Sequence, residues 1–324
     1  MFDGLSDAEK ARLERLARTR RNIRGRRQPA VLPSKLARTS AFAPRRHGLS
    51  SDADFLRVYV VRPHAVVEVR GRELGTRHRD ALIALFRLRA RRFETVAADG
   101  RTRTAVYRTD TTWRQILLAS GLTAHVNNLL VALRVFEELR SVTVRVFTGS
   151  FSAYETAVAR GRLASAGWSD GLIGTIEWSG VSLDSEVSVA YGEWVRMTFE
   201  AKNLVSVSAD VYFRLKGDFS RAWWPYIDSQ PDHDYVPLET LSALIGRDYR
   251  TEDSKRRARF REDVVSAFQD LVRAGGIEAF ELVAYGPGRT KSYRVRYRHA
   301  LPKAGQLELA IGDAPRRQTL HREN

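Results

Sequence analysis

The clearest alternation of apolar and polar positions falls in residues 254–273. At 3.6 residues per turn, Phe260, Val264, Ala267, Phe268 and Leu271 share one face. The opposite face carries Lys255, Arg259, Glu262 and Ser266, flanked by Arg256, Arg257 and Arg261. Upstream, residues 237–246 read as a short helix with Pro237 near its start and Gly246 just past its end. Downstream, Gly275 and Gly276 stop the long helix. Two strand-like runs follow, 278–284 and 290–298, joined by Gly286-Pro287-Gly288. In the second run Tyr293, Val295 and Tyr297 point one way, and Arg294, Arg296 and Arg298 the other. Helix, helix and a two-stranded ribbon is the order of a winged helix-turn-helix, whose later helix enters the major groove while the wing follows the backbone. A basic face on one helix is ordinary for a solvated surface. A basic helix and a basic wing, side by side, point to a polyanion. The candidate DNA contacts are Lys255, Arg256, Arg257, Arg259, Arg261, Ser266, Arg289, Lys291, Arg294, Arg296 and Arg298.

The earlier part of the chain shows a similar order with different surfaces. Residues 55–61 and 65–70 read as strands and 71–75 as a turn, with a helix from Thr76 to about Arg92. A second helix spans 112–120, and Thr123 can cap a third over 124–140. Strands follow at 142–147, 172–178 and 187–201. Three helices followed by strands suggest another winged helix, without an exact repeat in sequence. The third helix places Val126, Leu129, Leu130, Leu133 and Phe136 on its core face. Val131 and Val135 fall on its outer face, so they are the candidate protein interface. Residues 151–168 suggest a short helix and then a loop. Residues 204–215 fit either a strand or the start of a connecting helix. Residues 218–229 form the first helix of the second domain, which Pro225 should kink or shorten.

The expected fold class is α+β: two tandem winged helix-turn-helix domains behind a basic, disordered N-terminal arm. The segments are an arm at 1–50, a first domain at 51–205, a second at 206–300 and a tail at 301–324. Composition supports this outline. The 324 residues carry a net charge of +16 and a pI of about 10.5, which makes a nucleic acid the natural partner. A membrane surface competes, but no apolar run could span a bilayer and no signal-peptide core is evident. Within residues 1–50, 13 Lys and Arg face four Asp and Glu, a net of +9. Cysteine is absent, which removes disulfides, thiol nucleophiles and Cys-based zinc sites. The reading is a soluble cytoplasmic protein.

Catalytic signatures are missing. No P-loop or G-x-G-x-x-G cradles a phosphate, and the histidines lack metal-binding spacing. Asp232-His233-Asp234 is the one metal-like triplet, and it sits in a polar loop where such residues are ordinary. The tyrosines of a nicking initiator exist, but its paired histidines do not. No catalytic residue, metal or cofactor is expected.

Several stretches resemble the TrfA-type plasmid replication initiators, within the broader initiators built from two winged helices. They are residues 36–42; 69–74 with the helix through Leu85; 129–144; Trp223-Trp224-Pro225-Tyr226-Ile227; 237–241; Ile245-Gly246; and 257–261 running through Leu271 to Ile277. The likeness covers most of residues 36–298 in loose patterns of apolar and basic positions. Pro225 and the very basic first fifty residues depart from it. The resemblance implies binding to direct repeats (iterons) in double-stranded origin DNA and help in melting an A·T-rich stretch. It further implies recruitment of the host initiator, the replicative helicase and the sliding clamp, and a homodimer in equilibrium with monomer. Residues 306–309 faintly resemble a clamp-binding peptide without its aromatic end. Two other readings stay open: a winged-helix transcriptional regulator, and a basic non-catalytic protein associated with RNA or membrane.

Overall fold

A computed structural model describes residues 30–37, 41–61, 65–88, 90–96, 103–161, 167–200, 204–230, 232–286 and 292–300. The arm before residue 30, the hairpin tip with Arg289 and Lys291, and the tail from residue 301 lie outside the described residues.

The N-terminal half opens with β1 (Ala30–Pro33) and one helical turn, α1 (Ser34–Ala37). Then come β2 (Leu56–Val61), β3 (Ala65–Arg70), α2 (Thr76–Leu88), β4 (Arg91–Val96) and β5 (Arg103–Thr112). The helices α3 (Trp113–Ala119) and α4 (Val126–Arg140) follow, then β6 (Thr143–Thr148), α5 (Phe151–Ala159) and β7 (Gly167–Gly171). The half closes with β8 (Ile173–Trp178), β9 (Glu186–Tyr191) and α6 (Glu193–Glu200). Two four-stranded antiparallel sheets result, ordered β2-β3-β6-β7 and β4-β5-β9-β8. Against the second of them α3 and α4 bury Trp113, Leu117, Leu129, Phe136 and Leu139, with the Trp113 and Phe136 rings 6.2 Å apart.

Several boundaries differ from the sequence reading. The helix expected to reach Arg92 ends at Leu88, and Arg91 begins a strand. Cross-strand packing stabilises that strand: Phe93 lies 4.0 Å beneath the Arg108 guanidinium of β5. The single strand expected over 187–201 ends at Tyr191. Gly192 breaks it, and its carbonyl accepts from Val195 N at 3.0 Å to start α6. Arg196 there pairs with Glu193 and Glu200 at helical spacing. In α4 the cap is His125 rather than Thr123: the imidazole Nδ1 accepts from Asn127 N at 3.2 Å. Residues 204–215 contain both structures considered, β10 (Leu204–Val207) and then α7 (Ala209–Arg214), whose first turn is capped by Ser208 Oγ.

The C-terminal half comprises α8 (Asp218–Asp228), β11 (Tyr235–Pro237), α9 (Leu238–Ala243), α10 (Ser254–Arg273), β12 (Ile277–Tyr285) and β13 (Ser292–His299). Its sheet runs β11-β13-β12, antiparallel throughout. Pro225 lies inside α8 without ending it, and Ser229 N still donates to the Pro225 carbonyl at 3.2 Å. All five apolar residues read on the inner face of α10 are buried, with Phe260, Val264, Phe268 and Leu271 each contributing about 1.5–3 kcal/mol and Ala267 less. Phe260 packs edge-on to Trp223 at 6.0 Å, and Trp223 Nε1 donates to the Leu241 carbonyl at 2.9 Å. This ties α8, α9 and α10 together. Gly275 takes the left-handed conformation that closes α10, with φ +73°. At Gly276 an added Cβ would sit 2.7 Å from the Trp224 ring. The apolar core is continuous between the halves, from Ala30 to Tyr297. No helix among the described residues is long and apolar enough to cross a membrane.

Candidate nucleic-acid interface

Two devices hold α10. At its start, the Asp253 carboxylate accepts from Arg256 N at 2.8 Å. Near its end, the buried Asp270 carboxylate accepts from Lys216 N, Gly217 N and Ser220 Oγ at 2.9, 2.9 and 2.6 Å, capping α8. Burial alone would raise its pKa, but the Gly217, Ser220 and Lys216 hydrogen bonds and nearby Arg273 outweigh it. The carboxyl therefore titrates below the usual range. The helix is thus locked against α8 by a charge inside the core.

The outward stripe matches the sequence reading in part. Lys255, Arg256, Arg259 and Ser266 are exposed, whereas Arg257 and Arg261 are half-buried. Lys255 and Arg259 make no ion pair among the described residues, and Arg256 meets only its own cap residue, Asp253, at 3.5 Å. Arg261 serves the fold instead. Its Nη1 donates to Tyr249 OH at 3.1 Å and its guanidinium covers the Tyr293 ring at 4.9 Å.

Beside the stripe opens a cleft of about 530 Å³ lined by Phe219, Arg247, Glu252, Arg256, Arg259 and Asp263. Sequence reasoning missed Arg247 and Asp263. Arg247 sits in the turn between α9 and α10, bonded to Glu252 at 2.8 Å and stacked 5.5 Å over Phe260. Burial lifts the Asp263 carboxyl above its usual range, against the pull of Arg259 and Arg247.

The wing behaves differently from the expectation. Strand alternation is as read: Val295 and Tyr297 turn inward, with Phe268 of α10 6.0 Å from Tyr297. Arg294, Arg296 and Arg298 therefore lie on the far face of the sheet, away from α10. They do not share one surface with Lys255 and Arg259. Arg294 is sandwiched between the half-exposed rings of Tyr235 at 5.1 Å and Tyr285 at 5.3 Å. Arg298 approaches Glu278 at 3.6 Å, and Arg296 is exposed without an ion pair among the described residues. The tyrosines escaped notice because β11 is three residues long and pairs β13 across a long gap in sequence.

The outer face of α4 also needs correction. Val131 is exposed at 43%, but Val135 is 7% exposed and belongs to the core of its own chain. The apolar residues of α4 encircle most of the helix, so periodicity alone assigned Val135 to the wrong side. Val126 and Leu130 are the residues left exposed beside Val131. A cleft of about 240 Å³ there is lined by Arg46, Arg72, Arg77 and Arg134 among others. Among the described residues, no group of three or more His, Cys, Asp or Glu side chains, at Asp232-His233-Asp234 or elsewhere, could hold a metal ion.

No protein-family model and no curated protein sequence matches the chain. Among solved structures, it is similar to domains 2 and 3 of RctB. One crystal structure, of a selenomethionine derivative, aligns at 13% identity over 83% of this chain and 99% of that one, with a TM-score of 0.49. A second, of residues 155–483, aligns at 14% identity over 82% and 96%, with a TM-score of 0.43. The Pi initiator protein, crystallised in complex with iteron DNA, aligns at 12% identity over 68% and 90%, with a TM-score of 0.42.

Proposed function

We propose that this chain is a non-catalytic initiator of plasmid replication that reads duplex DNA with α10. One observation carries the reading: Lys255, Arg256 and Arg259 form an exposed basic stripe, with no ion pair among the described residues but Arg256–Asp253, on a helix whose other face is buried. Such a helix can enter a major groove without exposing core. The short α9 and the turn between it and α10 support reading α10 as the second helix of a helix-turn-helix, with β12 and β13 as the wing. An arginine reaching a guanine from this stripe would supply about 1–3 kcal/mol of discrimination. The resemblance of residues 36–298 to TrfA-type initiators supports the finer statements. These are that the two halves are tandem winged helices, that the target is a set of direct repeats, and that origin opening and recruitment of host proteins follow binding.

Selection from a random duplex pool tests the reading of DNA, and a plasmid dependent on the selected repeats tests replication. The expected result is one enriched motif that supports plasmid maintenance only when the protein is supplied. A pool that returns no motif would end the base-reading proposal. A motif that binds but never supports replication would leave a DNA reader and remove the initiator role.

A further inference from the structure

The first described segment of the chain is built into the seam between the halves. β1 pairs antiparallel with β10, Ala30 opposite Val207 and Pro33 opposite Leu204, and every residue of β10 is buried. Leu32, Leu36 and Phe42 close over Leu82 and Ile83 of α2 on one side, and over Ala222 and Pro225 of α8 on the other. They leave a gap of about 10 Å³, too small for more than one water. The Phe42 carbonyl accepts from Arg79 Nη2 at 3.1 Å, and the guanidinium lies 5.2 Å over the Phe42 ring. Arg79 is 5% exposed, and its Nη1 has no hydrogen-bond partner among the described residues. Its side-chain hydrogen bond is thus to this segment, while Asp80 and Asp218 help to hold its charge. The next two arginines divide between the halves: Arg45 pairs with Glu73, and Arg46 with Asp218 at 3.0 Å. Directly across the seam, Asp80 of α2 accepts from Arg221 of α8 and Tyr212 of α7, both at 2.6 Å, and Arg87 pairs with Asp210 at 2.7 Å.

Polar seams of this kind usually permit motion between domains. Here an apolar strand and a buried cation close the seam. We propose that residues 30–37 and 41–46 are a clasp, and that Leu32, Phe42 and Arg79 are positioning residues for duplex binding: they fix α10 relative to the N-terminal half without touching DNA. The inference rests on α10 being the reading helix. Its structural part stands independently of that.

The test uses the full chain. Leu32→Asp is expected to keep its far-ultraviolet circular dichroism. It should gain a larger radius of gyration in small-angle scattering and become cleavable by protease between the halves. Its affinity for the duplex selected by the parent should fall about tenfold, with the same motif preferred. Because the chain lacks cysteine, Val31→Cys combined with Ser206→Cys, directly opposite each other in the β1–β10 ladder, gives a single lockable crosslink. The oxidised double variant should resist cleavage and bind duplex as the parent does. A Leu32→Asp protein as compact, uncut and tight-binding as the parent would overturn the clasp. So would an oxidised double variant that loses duplex binding, because the segment would then have to open for DNA. Should Leu32→Asp fail to fold, Arg46→Ala, at the exposed edge of the seam, takes its place with the same expectations on a smaller scale. A parent that selects no motif defeats the α10 reading, while scattering and proteolysis still decide whether residues 30–37 and 41–46 hold the halves together.

Discussion

α4 and α10 are the two long helices that follow a short helix, each capped at its start and each burying one apolar face. Their outer faces differ in kind. α10 presents Lys255, Arg256 and Arg259, which make no ion pair among the described residues apart from Arg256 with the cap Asp253, although Asp263 lies within the field of Arg259. α4 presents Val126, Leu130 and Val131, with Arg134 as its one mid-helix cation. The inward residues specify where each helix packs. The outward residues, which packing hardly constrains, specify what it can meet: a polyanion for α10, an apolar surface for α4. A short helix followed by a long one is thus a way of presenting a helix, and the surface chemistry of the long helix sets its use.

That contrast can be attacked at several points. The largest effect is expected from Val135→Asp, which buries an unpaired carboxylate in the α4 core and should cost about 3–5 kcal/mol, enough to unfold the N-terminal half. Val131→Asp, one turn away and exposed, should change stability by less than about 0.5 kcal/mol. Chemical denaturation of both separates inner from outer face, and equal losses would mean that α4 packs the other way round.

Next, Asp270→Asn should destabilise the chain by about 2–3 kcal/mol near neutral pH, because its charge-assisted bonds to α8 are lost. The sign with pH follows from the lowered pKa. The parent keeps the Asp270 contribution above the ordinary value of 3.8 and loses it as pH falls through the lower folded value. The variant should lack that part of the acid transition, so identical acid-unfolding curves would refute the assignment.

Arg259→Ala should then weaken binding to the selected motif by about 1–3 kcal/mol while binding to scrambled duplex changes little. Titration against both duplexes measures this, and equal losses would move Arg259 from base reading to phosphate contact. The smallest effect is expected from Arg296→Ala. Its side chain lies on the far side of the sheet from α10, so the slope of log K against log salt for the selected duplex should stay the same. A slope reduced by about one would bring the far face into the duplex interface after all.

Much of the C-terminal half was legible because its pattern is clean. Phe260, Val264, Ala267, Phe268 and Leu271 keep one period over the whole of α10, and the alternation of β13 leaves no choice of faces. What alternation cannot supply is the side on which the sheet meets α10, and that decides where Arg294 and Arg296 point. β4 and β5 were missed because strands such as Arg91–Val96 and Arg103–Thr112, rich in Arg and Thr, lack an apolar stripe. Their order comes from neighbours far away in the chain. Val135 was misplaced for the opposite reason, an excess of apolar positions around one helix. The seam pairs Asp80–Arg221, Arg46–Asp218 and Arg87–Asp210 join residues more than one hundred positions apart, and no local reading could find them.

The charged seam has a consequence for any titration with electrolyte. Counterions released from DNA and counterions that screen the seam act on the same axis. Arg46–Asp218, whose side chains are 37% and 29% exposed, should yield first, whereas Asp80–Arg221, at 19% and 14%, is better shielded. A plot of affinity against ionic strength would then bend, shallow while the halves hold together and steeper once they loosen. The straight-line count of phosphate contacts is valid only on the shallow limb. Scattering recorded along the same series would show where that limb ends.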